Sequence, residues 1–180
     1  MRTNNLVKLV LSVFIANGIR LLRIIPNNDP IMSMALPFSR RGSAWISFIF
    51  PLLTMASFDF VTGYVGVWTA ITALTYGFIG IAFHFYLKDR KDVNIRTYMG
   101  CGIAGVLAFD FVTGVVATPL IYGGTLEQSF FGQIPFTITH LLTSSFFILI
   151  VTPLLDKNIL LNKRLDDNRI WSYISSLTLG

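Results

Sequence analysis

The stretch Ser43-Ala44-Trp45-Ile46-Ser47-Phe48-Ile49-Phe50-Pro51-Leu52-Leu53-Thr54-Met55-Ala56-Ser57-Phe58-Asp59-Phe60-Val61-Thr62-Gly63 carries no charge until it reaches Asp59. A helix needs about 20 largely apolar residues to cross the hydrocarbon layer, so this stretch reads as a membrane span. Its last six residues, Phe58-Asp59-Phe60-Val61-Thr62-Gly63, recur as Phe109-Asp110-Phe111-Val112-Thr113-Gly114. Each copy sets an aspartate near the end of a long apolar segment, where a charge is costly and needs a partner or a task. The two acids are the first candidates for function.

Composition places the whole chain in the same class. Hydrophobic residues make up 53% and charged residues 13%, against roughly 25% charged in soluble domains; mean hydropathy is +0.66. The net charge of +5 comes from short basic clusters between apolar segments, the pattern of orientation signals rather than of a nucleic-acid surface. A single cysteine, Cys101, excludes an internal disulfide and any cysteine-built metal site. No cofactor and no metal cluster is predicted. The first apolar stretch is followed by Arg20 and Arg23 and by no small-x-small cleavage site, so it reads as a mature helix rather than a secretion signal.

Five stretches approach the length of a span: Asn5 to Ile25, Ser43 to Gly63, Tyr64 to Leu87, Arg96 to Pro119 and Phe131 to Leu155. A sixth is short: Asp29-Pro30, an N-cap acid with proline at the first helical position, opens Ile31 to Phe38 ahead of Arg40-Arg41. With six spans and a cytoplasmic N-terminus, the inside receives Arg2, Lys8, Arg40, Arg41, Lys88 to Lys91, Arg96, Lys157, Lys163 and Arg164, and the outside only Arg20 and Arg23. Five spans would divide the basic clusters between both faces, against the positive-inside tendency. The sequence therefore predicts an all-α integral membrane protein of the plasma membrane: a bundle of six transmembrane helices over 1–155, the second short, and a cytoplasmic tail over 156–180. Ile170, Trp171, Tyr173 and Ile174 make that tail an interfacial helix.

In this orientation Asp59 and Asp110 lie at one depth, about a turn below the outer surface. Each precedes by four residues a glycine read as a helix C-cap, which sets the charge against the negative end of the dipole. Compensation would come from Arg20 and Arg23 or from a cationic ligand. Thr62 and Thr113, a turn from each acid, either bond back to their own helix or touch a ligand. His140 falls in the outer half of the last helix; His84 is placed at the inner interface. Val115 to Phe130 is too long for a simple turn and reads as a binding loop or lid. Gly100, Ala104 and Ala108, and Ala73 with Gly77, form small-residue stripes of the kind that pack helices. Two acids on neighbouring helices also raise an intramembrane aspartyl hydrolase, but the Gly-x-Gly-Asp setting is missing and no other catalytic constellation is present.

The order of motifs resembles the substrate-capturing S component of energy-coupling-factor (ECF) transporters, in an uncharacterised bacterial branch of that group. The resemblance rests on Pro26-Asn27-Asn28-Asp29-Pro30, Ser33-Met34-Ala35-Leu36, Phe58-Asp59 with Gly63, Thr113-Gly114, Tyr122-Gly123-Gly124-Thr125 and Ile134-Pro135-Phe136, and spans about Arg20 to Phe147. Asn28-Asp29, Phe58 and Gly114 depart from the family pattern on the presumed ligand face, so the architecture transfers better than any one substrate. The resemblance implies a non-enzymatic transport subunit that captures a vitamin or other micronutrient from outside. It would work with a membrane coupling subunit and two cytoplasmic ATPases, and would dock through the small pair Ser12 and Ala16. Asp59 and Asp110 would then supply negative potential for a small, cationic or amine-bearing ligand. Asn27, Asn28 and Tyr122 would supply hydrogen bonds, Trp68 a stacking wall, and Thr62, Thr113 and His140 further contacts. The competing class is a membrane scaffold of envelope machinery, in which Arg20 or Arg23 bridges both acids.

Overall fold

The computed structural model describes residues 5–23, 29–90, 92–170 and 173; the predicted ligand residues Asn27 and Asn28, and Trp171 and Ile174 of the tail, lie outside them. The described elements are α1 (Leu6–Leu22), α2 (Ile31–Arg41), α3 (Ala44–Thr62), α4 (Val67–Leu87), α5 (Ile95–Asp110), α6 (Thr118–Tyr122) and α7 (Leu126–Leu155). A π-helical stretch, Phe111–Ala117, joins α5 to α6 without a break, and another, Asp156–Leu160, prolongs α7. Among the described residues, four continuous helices are long and apolar enough to cross a membrane: Ala44–Thr62, Val67–Leu87, Ile95–Tyr122 and Leu126–Leu160. They expose many large apolar side chains, such as Phe60, Phe78, Leu107 and Leu142, as a lipid-facing surface does. The chain is an all-helical membrane bundle.

Helix α2 is the organising element. Every residue from Ile31 to Ser39 is buried, and α3, α4, α5 and α7 pack around it. Its 11 residues rise about 16 Å, half of a hydrocarbon layer, so it is a half-depth helix enclosed by protein. Backbone groups at that depth need partners from within the fold. The Thr152 hydroxyl donates to Ser33 O at 2.7 Å, and Ser39 Oγ donates to Gly80 O at 3.0 Å. His84 Nδ1 donates to Ser39 O, one of the orphan carbonyls of the last turn of α2, at 2.9 Å. His84 is thus a core residue, 2% exposed, and not the interfacial side chain the sequence suggested.

The hexapeptide copies take different conformations. Gly63 ends α3 in the left-handed region (φ 79°), with Tyr64 N donating to Asp59 O at 2.9 Å, the αL cap expected of glycine. Gly114 keeps a right-handed helical turn inside the π stretch, its α-carbon pressed against the Gln133 side chain of α7. The helix therefore runs on to Tyr122, and the segment read as a long loop is mostly helix. Only Gly123, Gly124 and Thr125 turn the chain: the glycines supply positive φ (82° and 107°), and Thr125 with Gln128 forms a reciprocal cap on α7.

The small residues also sort by face. Ala73 and Gly77 are buried, and a Cβ on Gly77 would meet the Phe48 ring of α3 at 2.6 Å. Gly100, Ala104 and Ala108 instead face outward, so that stripe packs nothing within the chain. Ser12 and Ala16, expected on a docking face, are fully buried; Ala16 packs in the cluster of Met34, Phe38 and Phe50. Their smallness serves the approach of α1 to the bundle, and they offer no surface to a partner.

At the end of the bundle away from Arg23, the tail folds back onto α1. Asp167 accepts from Leu6 N and Val7 N at 3.0 and 3.1 Å, Asn5 Oδ1 accepts from Lys8 N, and so three orphan N–H groups are capped by acceptors suited to the positive end of the dipole. The Lys8 ammonium, 2% exposed, donates to Leu160 O and to Asp166 Oδ1 at 2.7 Å. That hydrogen bond holds the Asp166 carboxyl below its ordinary pKa. A depressed folded-state pKa contributes stability that is present above about pH 4 and is lost as pH falls through the folded value. A nitroxide at the exposed Leu161 is therefore expected to gain mobility below about pH 4, and to lose that pH response in Lys8→Met. An unchanged wild-type spectrum in acid would refute the latch.

Candidate functional site

Because α2 is half-depth, its N-terminus lies inside the bundle, and a cavity of about 660 Å³ lies beside it. That volume suits a small organic molecule. Asp29 begins the site: its Oδ1 accepts from Ile31 N at 2.9 Å, capping α2, and its Oδ2 accepts the Tyr76 hydroxyl. The ring of Tyr76, itself 1% exposed, stacks on Phe109 with centroids 4.1 Å apart. The same Asp29 Oδ2 lies 3.8 Å from His140 Nε2. On its other side His140 places Nδ1 at 2.8 Å from Asp110 Oδ1, and both residues are 2% exposed. An ionised carboxylate only accepts, so Nδ1 carries a proton, and Nε2 faces Asp29. Phe109 and Phe136 set ring edges against the imidazole and fix its plane.

Above this base the walls are Phe58, Trp68, Phe109 and Phe136 with Thr72, Thr113, Thr118 and Gln133, and Arg20 and Arg23 complete the lining. Burial falls along the same line, from Tyr76 and His140 in the core to an exposed Arg23 at the end of α1. The Arg20 guanidinium lies 3.8 Å over the Phe58 ring, and its Nη1 is buried with no hydrogen-bond partner. Neither arginine bridges the two hexapeptide acids.

Those acids are compensated separately. Asp59 is outside the cavity lining: its Oδ2 accepts from the Thr69 hydroxyl at 2.6 Å, and Thr69 Oγ1 in turn accepts from Gly66 N at 3.2 Å. The positive end of α4 thus offsets the negative end of α3, and Asp59 ties the α3–α4 turn. Asp110 is answered by His140. Thr62 and Thr113 bond back to Phe58 O and Phe109 O, each at 2.8 Å, although Thr113 also lines the cavity. Trp68 is in the wall; Tyr122 is 71% exposed outside the lining, its ring 6.0 Å from that of Trp68.

Sequence reasoning gave Asp29, Tyr76 and Gln133 no role in the site. Asp29 was legible as the cap of a helix start, but not the burial of that start. Tyr76 sits between the small residues Ala73 and Gly77, a spacing that lets a ring reach the core, and nothing marks it as polar in function. Among the described residues no group of three His, Cys, Asp or Glu side chains is placed to hold a metal ion. No curated protein and no solved structure matches the chain. A family model does match, over residues 1–156, and the chain belongs to that family, DUF6580, a family of unknown function.

Proposed function

We propose that this protein is the substrate-capturing membrane subunit of an ATP-driven importer of the energy-coupling-factor type, taking a small, amine-bearing molecule from the outer face. The observation that carries the reading is the partly open cavity beside the start of α2, lined by Asp29, His140, Arg20 and Arg23. The six-pass topology with both ends cytoplasmic belongs to the proposal: Lys8, Arg41 and Lys157 lie at the end remote from the cavity, which by the positive-inside tendency turns the cavity outward. The described tail residues dock on the same inner end. The sequence contains no Gly-x-x-x-x-Gly-Lys loop, so ATP would bind to partners.

The competing readings draw less support from the side-chain contacts. The scaffold required Arg20 or Arg23 to bridge Asp59 and Asp110, whereas Arg20 stacks on Phe58. The hydrolase required the two acids to share a proton, whereas each has its own partner, Thr69 and His140. A tagged copy expressed in the native host and solubilised in mild detergent is expected to retain a membrane coupling subunit and two phosphate-loop ATPases, identified by mass spectrometry. Recovery of the chain alone, or with envelope-synthesis proteins, would overturn the importer reading.

A further inference from the structure

We propose that the cavity takes a dipolar small molecule, its protonated nitrogen seated on Asp29 and its anionic group held by Arg20 and Arg23. This rests on the capture reading above and narrows it to a substrate class.

The base defines the first half. Asp29 lines the cavity, and its Oδ2, which accepts the Tyr76 hydroxyl, keeps lone-pair capacity for one more donor. His140 Nδ1 is committed to Asp110, and Nε2, 3.8 Å from Asp29 Oδ2, is beyond hydrogen-bond distance of it and has no other partner. A ligand nitrogen about 2.9 Å from Asp29 Oδ2 meets ordinary hydrogen-bond geometry. Charge adds to the argument: Asp29 and Asp110 place two carboxylates around one imidazole in an apolar bundle, an excess of negative charge that a cationic nitrogen offsets.

The arginines define the second half. The Arg20 guanidinium lies over Phe58 with a buried Nη1 that donates to nothing, and Arg23 lines the same cavity. A guanidinium fork is suited to a carboxylate or phosphate, with which its N–H groups form short, charge-assisted bonds. Both signs of charge thus line one aromatic-walled space. A purely cationic ligand would leave Arg20 Nη1 unpaired, and a purely anionic one would leave the Asp29 carboxylate without a cation.

The test uses purified full-length protein and a small-molecule extract of the native host, split by passage over a cation exchanger in acid and an anion exchanger in alkali. Dipolar compounds are retained by both. The doubly retained fraction is expected to raise Tm by about 5 °C at a hundredfold excess over Kd. Arg20→Gln, which has no hydrogen bond from Nη1 to lose, should weaken the effect about tenfold, and Asp29→Asn should abolish it. Stabilising activity that is retained by one exchanger or by neither overturns the dipolar assignment and leaves capture standing. An extract in which no fraction stabilises the protein overturns capture itself, and this inference with it.

Discussion

His140→Leu is expected to destabilise the bundle by about 3–5 kcal/mol, because it strips Asp110 of its partner while leaving the carboxylate 2% exposed. The other carboxylate oxygen of Asp110 already has no hydrogen-bond partner, so no second donor stands ready to take over. Asp110→Leu should cost less, since an orphaned imidazole can stay neutral whereas an orphaned carboxylate must take up a proton from outside the fold. The informative protein is the double variant His140→Leu/Asp110→Leu. Replacing a buried charged pair by apolar side chains is often neutral, so the double variant should recover most of the loss, with a coupling of about 2 kcal/mol or more. Reversible unfolding in mixed detergent micelles measures all four corners. Additive losses within about 0.5 kcal/mol would show that the two side chains do not act as a pair.

That coupling marks the limit of what the sequence shows. Apolar run length located the membrane helices, because crossing hydrocarbon imposes a length that any reader can count. Asp29-Pro30 located the start of α2 through local chemistry. What failed depends on neighbours distant in the chain. The hexapeptide is identical in both copies, yet Gly63 caps a helix and Gly114 continues one, and only the second lies against Gln133 of α7. The helix accordingly runs on through Val115 to Tyr122 where a loop was expected.

For the site, the sequence could name Asp110, His140 and Trp68 as polar or aromatic groups in apolar surroundings, but not which helix faces which. The expectation that two equivalent acids share one ligand treated them as twins. In the fold Asp59 answers the start of α4 through Thr69, and Asp110 answers α7 through His140. Arg20 and Arg23, read as partners for those acids, line the cavity instead. Likewise the fourfold spacing of Ser12 and Ala16 is the same whether the stripe faces lipid or core; only the packing of α1 on α2 and α3 decides, and it places both inside.

Gly80→Ala is expected to cost about 2–3 kcal/mol, a large effect for one methyl group. Helices α3 and α4 cross where Gly80 meets Ser47, and a Cβ on Gly80 would fall onto the Ser47 carbonyl. The obstacle is backbone in a helix, so no side chain can rotate away to make room. The glycine carbonyl is engaged as well: it accepts the Ser39 hydroxyl of α2 at 3.0 Å, and separation of α4 from α3 would pull on the helix that forms the base of the cavity. Two controls separate this steric claim from the general preference of helices for alanine over glycine. Gly105 would first meet the Phe83 and Met32 side chains, which can shift, so Gly105→Ala should cost less than Gly80→Ala. Gly100 has nothing within 4 Å of an added Cβ, so Gly100→Ala should be neutral or stabilising by up to about 1 kcal/mol through helix propensity alone. If Gly80→Ala unfolds at the same detergent fraction as Gly100→Ala, the close crossing of α3 and α4 is not what holds α2 at half depth, and the position of the cavity needs another explanation.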